Sequence, residues 1–398
     1  MGRVTTPGVP RLLRTINDRS ALDLLLDRGA LTRSELSEST GLSRPTAGQL
    51  LTRLQAVGAV VSDGHRTGGR GPNAVVYRLD PALAYAAGVD VTPGRVVAAV
   101  ADVAGAILAV QERRVPRADT DAAMSVREAL TAALDDAGLT EKALAHVTIG
   151  SPGALDPITG RLEYASHLRG WHGVGLPARL REALGVPVDL VNDVRLAAVA
   201  EVAARGGAPR EFALLWMGAG LGLAHVSGGQ VLSGARGGAG EVGYMPVPGA
   251  DVPRRVRRRN TGGFQSLVGA PAVRELLATT GIHGRTAAVA LQRAVAEAEG
   301  GDRRVGRALD TLAARVATGL AAICSVIDPP LVVLAGDVGS AGGEALRSRV
   351  QSELDEISMT RPPVETTTVA ERPVLHGAVR TAVNQARDLT FSALLTGN

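Results

Sequence analysis

The sequence predicts an all-α winged helix-turn-helix at the N-terminus followed by a two-lobed α/β body. Three observations lead there. Two short helical stretches meet at a glycine turn near residue 41, and a pair of strand-like runs follows them. Beyond residue 80 a meander of strands gives way to helix–strand alternation, and that order appears twice. Positive charge is uneven: residues 1–80 hold 11 Arg and no Lys against 7 acidic residues. Of the 43 basic and 39 acidic residues in the whole chain, those beyond residue 80 balance.

At 398 residues the chain is long enough for two or three domains of roughly 100–200 residues each. Its 45% hydrophobic and 21% charged content is that of an ordinary globular protein. No run of about 18 apolar residues suggests a membrane span, and no apolar segment precedes Arg11 as a secretory leader would require. The lone Cys324 excludes an internal disulfide and a cysteine-rich zinc site. The cytoplasm is the expected compartment. Lys142 is the only lysine, so arginine richness alone is no functional signal; its position is.

In the head, residues 20–31 read as an amphipathic helix ending at Gly29. Thr32-Arg33-Ser34-Glu35 is a capping box that opens a second helix, and Gly41 supplies its left-handed stop. Ser43 caps a third helix through Val57, with Pro45 tolerated in the first turn. Leu36, Leu42, Leu50, Leu51, Leu54 and Val57 are the expected core. Arg44, Thr46, Gln49 and Arg53 are left facing outward. A recognition helix reaches base edges with its N-terminal residues, which assigns Arg44, Thr46 and Gln49 to double-stranded DNA. Arg53, a turn further on, and Thr32 and Ser34 are assigned to phosphates. Residues 59–61 and 75–79 form a hairpin wing whose Gly-Gly-Arg-Gly-Pro tip offers Arg70 to a narrow minor groove.

In the body, strand-like runs at 85–91, 95–102 and 106–115 precede a helix near 121–137 and a strand at 146–150. A strand at 186–191 and a helix at 193–205 follow. The second cycle has strands at 212–217 and 221–227, helices near 270–280, 286–299 and 303–327, and a strand at 331–335. Two such lobes leave a cleft between them.

Four segments of this body stand out: Gly150-Ser-Pro-Gly-Ala-Leu-Asp-Pro-Ile-Thr-Gly160, Leu168-Arg-Gly-Trp171, Val191-Asn-Asp-Val-Arg-Leu-Ala-Ala198 and Gly237-Gly-Ala-Gly-Glu-Val-Gly-Tyr-Met245. In order and spacing they resemble the ROK family of bacterial sugar kinases and repressors. The resemblance spans about residues 84–390, and the N-terminal head is similar to that of the repressor branch. It implies an actin/hexokinase-like (ribonuclease H-like) fold with a sugar-sized pocket. It places Asp193 at the position of the kinases' general base and Glu241 at that of a sugar-contacting carboxylate. Gly153, Asn192, Tyr244, His167 and Gln265 fall beside them as effector-binding positions.

Departures from the family pattern argue against phosphoryl transfer. Asp90-Val-Thr-Pro-Gly94 stands where the kinases have a phosphate loop, and Pro93 removes an N–H donor. Gly218-Ala-Gly-Leu-Gly222 lacks a hydroxyl, and Gly336-Asp337 puts a carboxylate on the nucleotide side. Tyr244 and the arginine run from Arg254 replace the family's zinc ligands, so neither metal nor cofactor is expected. His167 and Gln265 replace other contacting residues, which reads either as a retuned pocket or as one that has drifted.

The expectation is a non-enzymatic DNA-binding repressor, responsive to a sugar or sugar phosphate and acting as a homodimer or homotetramer on an operator. Its predicted units are a head over 1–80, a first lobe over 81–192 and a second over 193–398, with the C-terminal helix packing back on the first. A sugar kinase with a regulatory head, and a repressor using the lobes only to oligomerise, are the alternatives.

Overall fold

The computed structural model describes residues 10–66, 74–115, 121–156, 158–163, 168, 170–171, 173–235, 237–254 and 262–396. The head opens with α1 (Pro10–Arg28), followed by α2 (Arg33–Thr40) and α3 (Arg44–Ala56). Local chemistry sets these boundaries. The Glu35 carboxylate accepts from Thr32 N at 2.7 Å while Glu35 N donates back to Thr32 Oγ1, closing the capping box. Gly41 at φ 70° ends α2, and the Ser43 hydroxyl accepts from Thr46 N to begin α3. Leu36, Leu50, Leu51 and Leu54 close on Ala21, Leu22 and Leu25 of α1 as one core. Leu42 and Val57 pack at its margin.

The first helix begins at Pro10, well ahead of the predicted start near residue 20. Its leading half exposes Leu12, Leu13 and Ile16, so no buried stripe marks it in the sequence. β1 (Leu31–Thr32), β2 (Val60–Arg66) and β3 (Ala74–Leu79) form an antiparallel sheet in the order β1-β3-β2. The loop joining β2 and β3, with Arg70, lies outside the described residues.

The first lobe begins with the meander β4 (Tyr85–Thr92), β5 (Arg95–Asp102) and β6 (Ile107–Arg114). α4 (Ala122–Asp136) then leads to β7 (Leu144–Ser151). The short pair β8 (Ala154–Leu155) and β9 (Leu162–Glu163), α5 (Leu176–Leu184) and β10 (Val188–Asn192) complete it. The sheet order is β10-β7-β4-β5-β6, with β4, β7 and β10 parallel and the meander antiparallel. Strand alternation decides which side each residue serves. Val89 and Val91 join the core under α4 and α5, whereas Ala86, Gly88 and Asp90 belong to the opposite face.

α6 (Asp193–Ala204) crosses to the second lobe. That lobe contains β11 (Phe212–Met217), β12 (Leu221–Ser227), β13 (Gln230–Val231), α7 (Gln265–Val268), α8 (Ala270–Ala278) and α9 (Ala287–Glu299). α10 (Arg303–Ile327), β14 (Val332–Ala335), α11 (Gly336–Ile357) and β15 (Val364–Thr366) follow. Its sheet order, β13-β12-β11-β14-β15, repeats the pattern of the first. Among the described residues α10 alone is long and apolar enough to cross a membrane by length and composition, with a mean hydropathy of 1.4. Leu309, Leu312, Val316 and Leu320 instead bury its apolar stripe in this lobe's core.

The last helix, α12 (Pro373–Thr396), returns to the first lobe and covers the face that α4 and α5 leave open. Leu375, Val379, Ala382, Val383 and Ala386 pack on Ala86, Val97, Ala99 and Ala101. Two glycines let backbones touch there. A Cβ on Gly88 would lie 2.3 Å from Val379 N, and one on Gly377 only 1.9 Å from Leu196 O of α6. Beyond the sheet the helix enters the head, where Phe391 is fully buried in the head's core. Arg19 of α1 stacks over the Phe391 ring at 5.1 Å and pairs with Asp388 at 2.7 Å.

Candidate ligand cleft and nucleic-acid interface

Between the lobes lies a cavity of about 1370 Å³ lined by residues of both sheets, α6, the glycine-rich turn after β13 and the entry to α12. It gathers Gly153, Asn192, Asp193, Glu241, Tyr244 and Gln265, six of the seven expected effector positions. His167 lies outside the described residues.

The Asn-Asp pair is held by its place at the start of a helix. Asn192 Oδ1 caps α6 by accepting from Arg195 N at 3.1 Å, which turns its amide toward the cleft. That amide donates to Gly153 O and to Asp193 Oδ1, both at 3.0 Å. Asp193 Oδ1 also accepts from Val194 N at 2.8 Å. Glu241 enters from the opposite wall on a turn that demands glycine before it. Gly240 has φ 95°, and a Cβ there would sit 1.9 Å from Leu223 O. Gln265 donates to Ala219 O at 3.3 Å, bracing the loop between β11 and β12.

Burial gives these carboxyls unusual proton affinities. Desolvation pushes Asp193 up to about 6, with the Asp90 charge adding to it and backbone hydrogen bonds opposing. Glu241 rises to about 7 through burial and the Asp193 charge. Asp90 rises to about 6 through burial, against the pull of Arg95 and Arg372. Asp337 is also raised by burial. It stands at the start of α11, and a Cβ on Gly218 would come within 2.7 Å of its Oδ1. A carboxylate thus fills the space beside the Gly218–Gly222 loop.

Sequence reasoning missed part of this wall. Asp90, Arg95 and Arg372 line the cavity. Strand alternation from Gly88 places Asp90 on this side, and that signal is readable in the sequence. Arg372 arrives from across the fold at the entry to α12 and carries no local signature. The neighbouring wall is pinned by the fully buried Glu201, which accepts from Thr367 Oγ1 at 2.6 Å, Thr368 Oγ1 at 3.0 Å and Arg205 Nε at 2.7 Å. Burial works against its charge, but these bonds prevail and its pKa is lowered.

On the head, Arg44, Thr46 and Gln49 are exposed along one end of α3, and Ser34 is half-exposed at the start of α2. Two expected phosphate contacts differ. Thr32 is buried and its hydroxyl is held by Glu35 at 2.9 Å within the capping box. Arg53 turns inward to the buried Asp18, at 2.6 Å from Nη2 and 3.4 Å from Nε. Its charge is therefore compensated within the head. Arg33, overlooked in the sequence, lies exposed over α3, where a Cβ on Gly48 would meet its Cδ at 3.3 Å.

Comparison with known proteins agrees with this architecture. A crystal structure of a ROK family transcriptional regulator, a homologue of the Escherichia coli MLC protein, superposes with a TM-score of 0.75 at 17% identity. It covers 97% of this chain and 100% of its own. A ROK hexokinase from Thermus thermophilus matches with a TM-score of 0.63 and 25% identity over 76% of this chain and 99% of its own. In sequence, the xylose repressor of Caldicellulosiruptor bescii is 21% identical over 390 residues, 94% of this chain and 96% of that one. The E. coli transcriptional dual regulator NagC is 21% identical over 343 residues, covering 83% and 82%. The sequence profile of the ROK family matches residues 86–382, and the chain belongs to that family.

Proposed function

We propose that this protein is a DNA-binding transcriptional repressor whose operator affinity responds to a sugar or sugar-derived ligand in the cleft. One observation carries the reading: a single helix joins the two sites. α12 starts at the cleft wall beside Arg372 and ends with Phe391 inside the head's core. Its 24 residues span roughly 36 Å at 1.5 Å per residue. A ligand that favours one closure of the lobes then biases the head, provided it binds the two closures with different affinity. Repressor relatives that align along nearly the whole chain support the same reading.

In this proposal residues 1–80 are a winged helix-turn-helix, 81–192 the first lobe and 193–398 the second. Arg44, Thr46 and Gln49 read base edges, Ser34 and Arg33 meet phosphates, and Arg70 serves the wing. The protein works in the cytoplasm as a homo-oligomer on a near-palindromic operator. It is not a kinase: the tight turn at Pro93-Gly94 and the Asp337 carboxylate against Gly218 leave a nucleotide poorly served.

Binding-site selection from random duplexes tests the proposal. It should enrich a near-palindrome, and Arg44→Ala should relax preference at particular positions at a cost of about 1–3 kcal/mol. Absence of any enriched sequence refutes it. ADP release with hexoses, lost in Asp193→Ala, would instead establish the kinase.

A further inference from the structure

The two faces of the first-lobe sheet are covered unequally. α4 and α5 lie over one face, and α4 reaches as far as the edge strand β6. On the other face α12 rests on β4, β5 and β7, and α6 crosses beside it. Among the described residues no strand pairs with the outer edge of β6. Val110 stands opposite Ala99 and Ile107 opposite Ala101, so both project on the face that α12 packs against. Ile107, Leu108 and Val110 are 39%, 45% and 36% exposed. An apolar ledge thus runs along β6 beside α12.

The flank of α12 above this ledge is basic. At its start Arg372 meets Glu112 of β6 at 3.6 Å. Further along, Arg387 donates from Nε to Val103 O at 2.7 Å and from Nη2 to Ala104 O at 3.0 Å, on the turn that leads into β6. Between them His376, Arg380 and Asn384 follow one another along one exposed stripe. Arg380, and Arg114 at the end of β6, make no ion pair among the described residues. The acids near them are already engaged. Glu112 serves Arg95 and Arg372, Asp388 serves Arg19, and Asp102 accepts from the N–H groups of Gly105 and Ala106. Burial, and after it the Arg380 charge, lowers the pKa of Arg387, as cations crowded on one flank must.

We infer that the ledge between β6 and α12 is a docking surface for a protein partner, which lays an acidic amphipathic helix there and so acts on α12. Sheet faces are covered by helices, and the strip above β6 is the place on this face where a helix is missing. Such a helix buries its apolar stripe on Ile107, Leu108 and Val110 and turns its acidic flank to Arg380 and Arg114. Charge argues against a second copy of this chain as the occupant. A two-fold contact sets the same patch against itself, so the unpaired arginines would meet each other. Three partly exposed apolar side chains also fall well short of the roughly 800 Å² per partner that a stable dimer buries. A segment seated here touches the helix that ends with Phe391 in the head's core. Its effect on DNA rests on the cleft-to-head coupling proposed above, whereas docking itself does not.

Selection of a displayed library of random amphipathic peptides, about 15 residues long, on the full-length protein tests the inference. Enriched peptides should carry acidic residues beside an apolar stripe. Labelled with fluorescein and followed by anisotropy, they should bind Arg380→Glu at least about 10-fold more weakly, because an attractive pair becomes a like-charge one. Val110→Asp should bind them undetectably. Unfolding transitions verify that both variants are folded. Enrichment of basic or neutral peptides, or equal binding to both variants and the unsubstituted protein, overturns the docking surface. Sedimentation tests the rival occupant: an oligomer that dissociates in either variant puts another copy on the ledge and overturns the inference as well. Operator affinity is then measured with peptide, and separately with D-xylose or D-glucose. A shift with peptide supports the action on α12, and no shift with peptide where a sugar produces one overturns it. No shift with peptide or sugar refutes instead the cleft-to-head coupling.

Discussion

Replacing Glu241 with Gln removes a charge that the cleft holds at a cost, and the cost has a definite pH signature. The Glu241 carboxyl stands at about 7 instead of 4.5, first through burial and second through Asp193. At about 1.36 kcal/mol per pH unit this corresponds to at most about 3 kcal/mol, part of it shared with Asp193. The sign follows from proton binding. The folded chain keeps the proton to higher pH than the unfolded chain does, so the favourable contribution is complete below 4.5 and is lost as pH rises through about 7. Glutamine keeps the shape without the titration. Urea unfolding followed by the fluorescence of Trp171 and Trp216 should therefore show nearly equal stabilities at pH 4.5. At pH 8 the Gln variant should be more stable by about 2–3 kcal/mol. The same substitution should weaken sugar binding, a stability gain at the expense of function. An offset that is identical at both pH values, or a variant less stable at pH 8, refutes the reasoning.

Arg53→Ala leaves the buried Asp18 without its partner. Because the Arg53 side chain is 33% exposed, the loss should be nearer 2 kcal/mol than the 3–5 of a fully buried pair, and Arg53→Ala/Asp18→Asn should restore much of it in thermal denaturation. A stable Arg53→Ala whose salt dependence of operator binding falls by about one unit would instead make Arg53 a phosphate contact. Phe391→Ala opens a cavity where α12 meets the head, costing about 3–5 kcal/mol. In that variant operator binding below its melting point should persist while its response to sugar shrinks, as read by fluorescence anisotropy.

Much of the fold is written in short-range chemistry. The capping box at Thr32–Glu35, the stop at Gly41 and the Ser43 cap fix α2 and α3 because every partner lies within a few residues. The meander and the apolar stripe of α10 are equally local. α11 is less legible: Gly336, Gly339, Gly342 and Gly343 depress helix propensity, Gly343 departs from helical angles at φ 49°, and tertiary packing of Val338, Leu346 and Val350 holds the helix. The site divides in the same way. Asn192, Asp193 and Glu241 sit in recognisable segments, so the sequence points to them directly. The pairing of Arg53 with Asp18, 35 residues distant, has no local signature, and Arg372 reaches the cleft only through the return of α12. Asp90 reads as the relic of a phosphate loop until the cavity shows it facing Asp193 and Glu241.

The most direct test of the account is an anisotropy titration of a selected operator with full-length protein, without sugar and with a saturating sugar that binds the cleft. Coupling between cleft and head predicts a change in operator Kd of about 5–150-fold, in either direction, and a reciprocal change in sugar affinity when operator is present. Identical operator affinity with the cleft empty and filled would contradict it.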